Sequence, residues 1–134
     1  MESEVNYPDL ADPAFMCHFE VTMTYRRNST VWWPYFGSDT EAALLTPPRP
    51  KTESSPMAYF RSSPVDRCGR TDYAAALMRR VKVDSYGSVL HNRDLPVPDK
   101  GQETMMTVIA RYKFALVMEN SFAEDYVSGK LFAP

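Results

Sequence analysis

Residues 112–132, YKFALVMENSFAEDYVSGKLF, decide how this chain folds. Residues 113–118 are a short apolar run of strand length, Glu119 and Asn120 fall where its carboxyl end belongs, and Ser121 with Glu124 has the spacing of a capping box. The spacing predicts a helix that begins near Phe122. Strand, polar turn and helix opening, in that order, is how α/β proteins present free backbone N–H groups to anions, just outside the carboxyl ends of the strands. On such a helix Tyr126 and Lys130 share one face. Helical side chains lean toward the amino terminus, so Lys130 is predicted to reach back toward a bound diphosphate. The residues alone leave a second reading open, a solvated lysine beside a core tyrosine.

Upstream, helical and strand patterns alternate. Residues 72–80 are helical by their Ala, Leu and Met content, residues 81–86 are a strand closed by Gly87, and residues 102–112 are a helix with Met106, Ile109 and Ala110 at helical spacing. This order predicts an α/β fold with a parallel sheet, in which the strand at 113–118 runs parallel to that at 81–86 and Asn120 stands at their shared carboxyl edge. Across 46–64 the composition shifts, with Pro47, Pro48, Pro50, Pro56 and Pro64 among Ser, Thr, Lys and Arg, and this reads as an interdomain linker. Ahead of it, alternating Phe19, Val21 and Met23 suit a strand within 15–23, and residues 30–36 are aromatic and β-prone.

Composition narrows the function classes. The chain has 134 residues, 44% of them hydrophobic, which is one domain's worth with room for a core. Fifteen basic residues against seventeen acidic give a net charge of −2, and Arg26-Arg27 and Arg79-Arg80 are pairs rather than patches, so a nucleic-acid footprint is excluded. No run of eighteen apolar residues occurs and no signal-like segment opens the chain, which is expected to be soluble as it stands. Cys17 and Cys68 are too few and too far apart for a zinc site or a disulfide framework, and no DxD carboxylate pair is present, so no metal ligand is proposed. Two unpaired thiols are expected, with a single bridge in an oxidising lumen as the alternative. Asn28-Ser29-Thr30 is an N-glycosylation acceptor triplet.

The string at 112–132 closely resembles the signature of the α-1,3/4-fucosyltransferases, approximately YKFxLxFENSxxxDYVTEKLW. Tyr112, Lys113, Phe114, Leu116, Glu119, Asn120, Ser121, Asp125, Tyr126, Val127, Lys130 and Leu131 all match in place. Two further segments resemble the same family in the same order. Glu2-Ser3, then Met23-Thr24-Tyr25-Arg26-Arg27-Asn28-Ser29 and Pro34-Tyr35, are similar to its ESP block with the following TMTYRRDSD and PY. Cys68-Gly69-Arg70 with Tyr73 and Leu77, then Val83-Asp84-Ser85-Tyr86-Gly87, are similar to its CxxRxxYxxxL and IDxYG segments.

The resemblance implies a fold of two facing Rossmann-like halves (GT-B type), both incomplete here. Residues 1–45 would end the acceptor-side half, 46–64 would link the halves, and 65–134 would be the front of the half that binds GDP-fucose. A short strand within 57–61, ahead of the arginine-bearing helix, is also implied. Members transfer fucose from GDP-fucose to an N-acetylglucosamine hydroxyl of a glycan, in α-1,3 (or α-1,4) linkage with inversion, and no cofactor beyond that donor is expected. Glu2 matches the catalytic base, Arg70 and Lys130 the cations on the diphosphate, and Asn120 and Tyr126 further donor contacts. A carboxylate with an ordinary pKa is ionised at neutral pH, as a base must be, while Arg grips phosphate as a fork and Lys as a point charge. The resemblance also implies the lumenal side of the Golgi membrane, reached through an anchor missing from this chain, so the chain is expected to be a fragment of a longer protein.

Three departures bear on activity. Gly129 stands where the family has the glutamate that holds the donor sugar, Glu4 stands where it has proline, and Met118 replaces a phenylalanine. Losing a charged acceptor at a sugar contact costs roughly 1.5–3 kcal/mol, one to two decades in turnover. The alternative to an active fucosyltransferase is therefore an inactive fragment or pseudoenzyme that retains only a GDP-binding pocket.

Overall fold

The computed structural model describes residues 2–132. A 3-10 turn at Pro8–Ala11 leads into a one-turn helix α1 (Pro13–Met16), and two-residue strands β1 (Met23–Thr24) and β2 (Val31–Trp32) pair in parallel. Helix α2 (Ser38–Leu45) follows, then β3 (Met57–Tyr59), α3 (Arg70–Met78), β4 (Val83–Ser85), α4 (Gln102–Ile109), β5 (Phe114–Leu116) and α5 (Gly129–Phe132). The last three strands form an all-parallel sheet in the order β4-β3-β5. The class is therefore α/β with parallel sheets, compatible with a Rossmann-like unit.

Two core clusters flank this sheet. On one side Ala58, Tyr86, Val108 and Tyr112 pack with Phe60, Leu95 and Ile109; on the other Tyr59, Ala74 and Val83 pack with Met57, Met78, Leu90, Leu116 and Met118. Alternation along β3 explains the split, since Ala58 and Tyr59 point to opposite faces and both are buried. Beneath the sheet Asp84 accepts hydrogen bonds from Tyr112 (2.7 Å) and from Arg93, which also pairs with Glu53 at 2.9 Å. This ties the loop after β4, and the proline-rich stretch that carries Glu53, to the sheet.

Several expectations change at this level. The strands at 81–86 and 113–118 are indeed parallel members of one sheet, but they are not neighbours: β3 lies between them and pairs with both. The short strand expected within 57–61 is present as β3, so the proline-rich stretch contributes the central strand. Of the strand expected within 15–23 only Met23 belongs to one, as the first residue of β1; the segment opens instead with the end of α1, because Asp12 caps that helix by accepting from the Ala14 N–H at 2.8 Å and Pro13 occupies the first turn. The helix predicted near Phe122 begins instead at Gly129. Asp125 adopts a left-handed φ of 58°, which no continuing α-helix admits, and the Ser121 hydroxyl bonds to Ser3 and Asn120 rather than to a helix-opening N–H. Helix α3 starts two residues earlier than expected, so Arg70 is its first residue rather than lying before it. Cys17 and Cys68 are both free thiols.

Candidate functional site

The amino-terminal segment docks on the turn after β5. Ser3 and Ser121, both buried and 118 residues apart, share a hydroxyl hydrogen bond of 2.5 Å. The Arg27 backbone N–H donates to Asp125 at 3.0 Å, and the Tyr25 ring tilts on that of Tyr126 at 5.1 Å between centroids. Together these contacts hold Glu2 over the turn. Its Oε2 accepts from the Tyr126 hydroxyl (3.0 Å), from Asn6 Nδ2 (2.9 Å) and from Asn120 Nδ2 (3.3 Å). The expected base and two of the expected donor contacts therefore meet on one carboxylate oxygen.

Electrostatics follow from that geometry. Burial would raise the Glu2 pKa, but the hydrogen bonds from Asn6, Asn120 and Tyr126, with the charge of Lys130, outweigh it and hold the carboxyl below its ordinary 4.5. Glu2 is ionised at neutral pH. Burial, the hydrogen bond to Glu2 and the charges of Glu2 and Glu119 push the Tyr126 phenol well above its ordinary 10, so it remains a donor. Glu4, the residue in the family's proline position, pairs with Arg26 and accepts from the Tyr25 hydroxyl at 3.1 Å. It anchors the Glu2-Ser3-Glu4 segment from its other end.

Lys130 does not share a helix with Tyr126, yet it belongs to the same neighbourhood. Its Nζ donates to Glu119 Oε2 at 2.9 Å and to Ser128 Oγ at 2.9 Å. With Gly129 and Arg70 it lines a cavity of about 410 Å³ at the carboxyl ends of β3 and β5. Arg70 also lines a neighbouring cavity of about 590 Å³ with Asn120's flanking residues Glu119 and Ser121 and with Tyr126. The Arg70 guanidinium is buried and donates to the carbonyls of Met118 (3.0 Å) and Val65 (2.8 Å), while its Nε is buried with no partner. No direct bond joins Arg70 to the Glu2 group.

Sequence reasoning passed over Asp66. Its carboxylate accepts from the backbone N–H groups of Cys68, Arg70 and Thr71 and from the Thr71 hydroxyl, and so fixes the start of α3 on which Arg70 rides. Those bonds, led by Thr71's, exceed the opposing effect of burial and hold Asp66 far below its ordinary 3.8. Gly69 holds the N-cap position with no side-chain cap, and Asp66 lies three residues ahead of it, so no ordinary capping pattern points to Asp66. Arg61, buried beside it, donates to the carbonyls of Ser63, Pro64 and Val65 and to the Thr71 hydroxyl, shaping the loop between β3 and α3. Glu119 was read as a motif match at the carboxyl end of the strand, which is where it stands; its pairing with Lys130 was not foreseen.

Residues 50–134 match the family model for the C-terminal part of glycosyltransferase family 10 (fucosyltransferase). The chain is 38% identical over 135 residues to a fucosyltransferase-like protein of Arabidopsis thaliana, covering 98% of this chain and 25% of that protein. It is 29% identical over 150 residues to alpha-(1,3)-fucosyltransferase B of Drosophila melanogaster, covering 99% of this chain and 34% of the relative. It is also 40% identical over 85 residues to GDP-fucose protein O-fucosyltransferase 3 of Xenopus tropicalis, covering 60% and 18% respectively. The chain thus spans about a fifth to a third of the length of these relatives. On the family match and the motifs that meet around Glu2, the chain belongs to glycosyltransferase family 10, the fucosyltransferases.

Proposed function

We propose that this chain carries the GDP-fucose-binding region and the catalytic base of an inverting α-1,3-fucosyltransferase of GT-B type, acting on an N-acetylglucosamine hydroxyl of a glycan. The observation that carries the reading is the convergence of Asn120 and Tyr126 on Glu2, across 118 and 124 residues of sequence. In the reaction the acceptor oxygen attacks the anomeric carbon of fucose from the face opposite GDP and its proton passes to the Glu2 carboxylate. The bond from that carbon to the diphosphate oxygen breaks, and its electron pair stays on the diphosphate, where Arg70 and Lys130 meet the growing charge. Asn120 and Tyr126 hold both the base and the donor. A secretory-pathway setting in the Golgi lumen belongs to the same reading.

Two relatives are named for different acceptors, a saccharide linkage in one and protein in the other. The α-(1,3) relative aligns with nearly the whole chain, so its similarity takes in residues ahead of the family match as well. That favours the glycan acceptor over a protein hydroxyl. The second reading, a GDP-binding pseudoenzyme, draws on Gly129, which offers the donor sugar no carboxylate.

Calorimetry with GDP tests the proposal. Lys130→Ala and Arg70→Lys are each expected to weaken GDP binding about tenfold or more, the scale of a lost charge-assisted hydrogen bond. Unchanged affinity in both variants would reject the assignment. Transfer of labelled fucose to an N-acetyllactosamine acceptor, abolished by Glu2→Gln while GDP still binds, separates the enzyme from the pseudoenzyme.

A further inference from the structure

We propose that Glu119 is a positioning residue that sets the Lys130 ammonium for the diphosphate, an inference that rests on the donor-site reading above. Lys130 is the second residue of a four-residue helix, an element too short to fix a long side chain by itself. What fixes it is one carboxylate. Glu119 Oε1 accepts the Ser128 backbone N–H at 2.7 Å, immediately ahead of α5, and Oε2 accepts Lys130 Nζ at 2.9 Å. The Ser128 hydroxyl accepts from the same ammonium at 2.9 Å and from the Lys130 backbone N–H at 3.4 Å. A single side chain thus sets both the start of the helix and the head of its lysine.

The partners are unequal in a way that suits this role. The Glu119 side chain is 19% exposed and that of Lys130 44%, so the carboxylate is the more fixed element, and Lys130 lines a cavity together with Arg70. Glu119 follows β5 by three residues, which places it at the carboxyl edge of the sheet, where strand geometry holds it. Burial would raise its pKa, but the bonds from Ser128 and Lys130 outweigh it, and the group is ionised at neutral pH. The ammonium keeps donor capacity beyond the two bonds it makes to protein, because a protonated lysine has three N–H groups. The third is the one a phosphate oxygen would take.

The test is a double-mutant cycle on the full chain, read by calorimetry with GDP. Glu119→Gln keeps an oxygen for the Ser128 N–H but loses the charge that holds Lys130. GDP affinity is expected to fall about three- to fivefold, the scale of a partly exposed ion pair. In a Lys130→Ala background the same substitution should change affinity by less than about 1.5-fold, because Glu119 then has nothing to position. Glu119→Asp, one methylene shorter, should fall between wild type and Glu119→Gln, and melting temperatures measured alongside show that each variant is folded. An equal loss in both backgrounds would reveal a merely structural role and overturn the inference. A gain in affinity for Glu119→Gln would show that the carboxylate competes with the diphosphate for Lys130, and would overturn it equally. If Lys130→Ala alone leaves GDP affinity unchanged, the donor-site reading fails first and this inference falls with it.

Discussion

Residues 2–45 and residues 55–128 are held together by different forces. In the later region a parallel sheet buries Ala58, Tyr59, Ala74, Val83, Val108 and Tyr112, none more than 4% exposed, in two apolar clusters. In the earlier region the buried residues among those described are Ser3 and Tyr25, while Phe19, Val21, Met23, Trp32 and Trp33 are all more than half exposed. Its strands are two residues each. The earlier region keeps its place through polar bonds to the turn after β5: Ser3 to Ser121, Arg27 to Asp125, and Glu2 to Asn120 and Tyr126. Apolar burial of a whole side chain is worth about 1.5–3 kcal/mol and is insensitive to pH, whereas a hydrogen bond contributes about 1 kcal/mol net and, where a carboxylate accepts it as Glu2 and Asp125 do, depends on protonation. The later region is therefore a scaffold, and Glu2 is attached to it by a chemically sensitive contact.

The comparison breaks most sharply at Gly87. A Cβ built there would overlap the backbone of Arg61, where Val89 N–H donates to the Arg61 carbonyl and β4 runs beside β3. Backbone cannot swing aside as a side chain can. Gly87→Ala should destabilise the sheet by about 3 kcal/mol or more. Trp33→Ser, at a 60% exposed side chain in the earlier region, should stay within about 0.5 kcal/mol of wild type. Urea denaturation followed by circular dichroism measures both. Comparable losses would mean that the earlier region has a core of its own.

How much of this was legible in the sequence follows the same division. The helices now α3 and α4 and the strands β4 and β5 announce themselves by helix-forming content, helical spacing and short apolar runs, and Ala74, Val83 and Val108 among them are buried. β3 does not, since Met57-Ala58-Tyr59 is three residues long and surrounded by prolines, which composition reads as linker. Only a partner on each side makes it a strand. The helix expected from Ser121 and Glu124 failed because a capping pattern records what a hydroxyl can do locally, whereas Ser121 spends its hydroxyl on Ser3, 118 residues away. Phe19, Val21 and Met23 alternate, but no neighbouring strand buries them, so alternation had nothing to act on. For the site, residue identities came from motif spacing. Their meeting on Glu2 did not, because it depends on how segments from opposite ends of the chain dock.

Acid should sharpen the contrast by releasing Glu2 and its segment before it unfolds the scaffold. Glu2 and Glu4 both have folded pKa values below the ordinary 4.5, as bonds from Asn6, Asn120 and Tyr126, and from Tyr25 and Arg26, outweigh the effect of burial. A depressed carboxylate contributes stability that is fully present above its unfolded value and is lost as pH falls through its folded one. Docking of the amino-terminal segment should thus be intact at pH 6 and weaken progressively below about 4.5. Asp66, which anchors α3 in the later region, is held far below its ordinary 3.8, so that region should let go at lower pH. Amide hydrogen exchange across pH 6 to 3 should show Arg27 losing protection before the amides of β3 and β4. Simultaneous loss would mean that the two regions unfold as one. Glu2→Gln should shift the first loss only, since it leaves Asp66 untouched.

A smaller effect on stability than at Gly87 is expected at Gly129, and it carries the most information about function. A Cβ there meets only the Tyr35 ring edge at 3.9 Å, ordinary van der Waals contact, so a side chain is accommodated without strain. Glycine in a helix costs about 1 kcal/mol relative to alanine, and Gly129→Ala should recover at most that, less at the first position of so short a helix. Gly129→Glu adds an acidic group to the first turn, where it is favoured, and offers donor sugar hydroxyls a charged acceptor beside Lys130. If the chain carries a working donor site, GDP affinity should stay within about twofold of wild type in Gly129→Ala and Gly129→Glu alike, because the diphosphate contacts are unchanged. Affinity for GDP-fucose relative to GDP should rise about tenfold in Gly129→Glu alone, the scale of a hydrogen bond to a charged group. Calorimetry with the two nucleotides reads the difference directly. Equal affinities for GDP and GDP-fucose in all three proteins would mean that the sugar is not held beside residue 129, leaving a nucleotide pocket without the geometry for transfer.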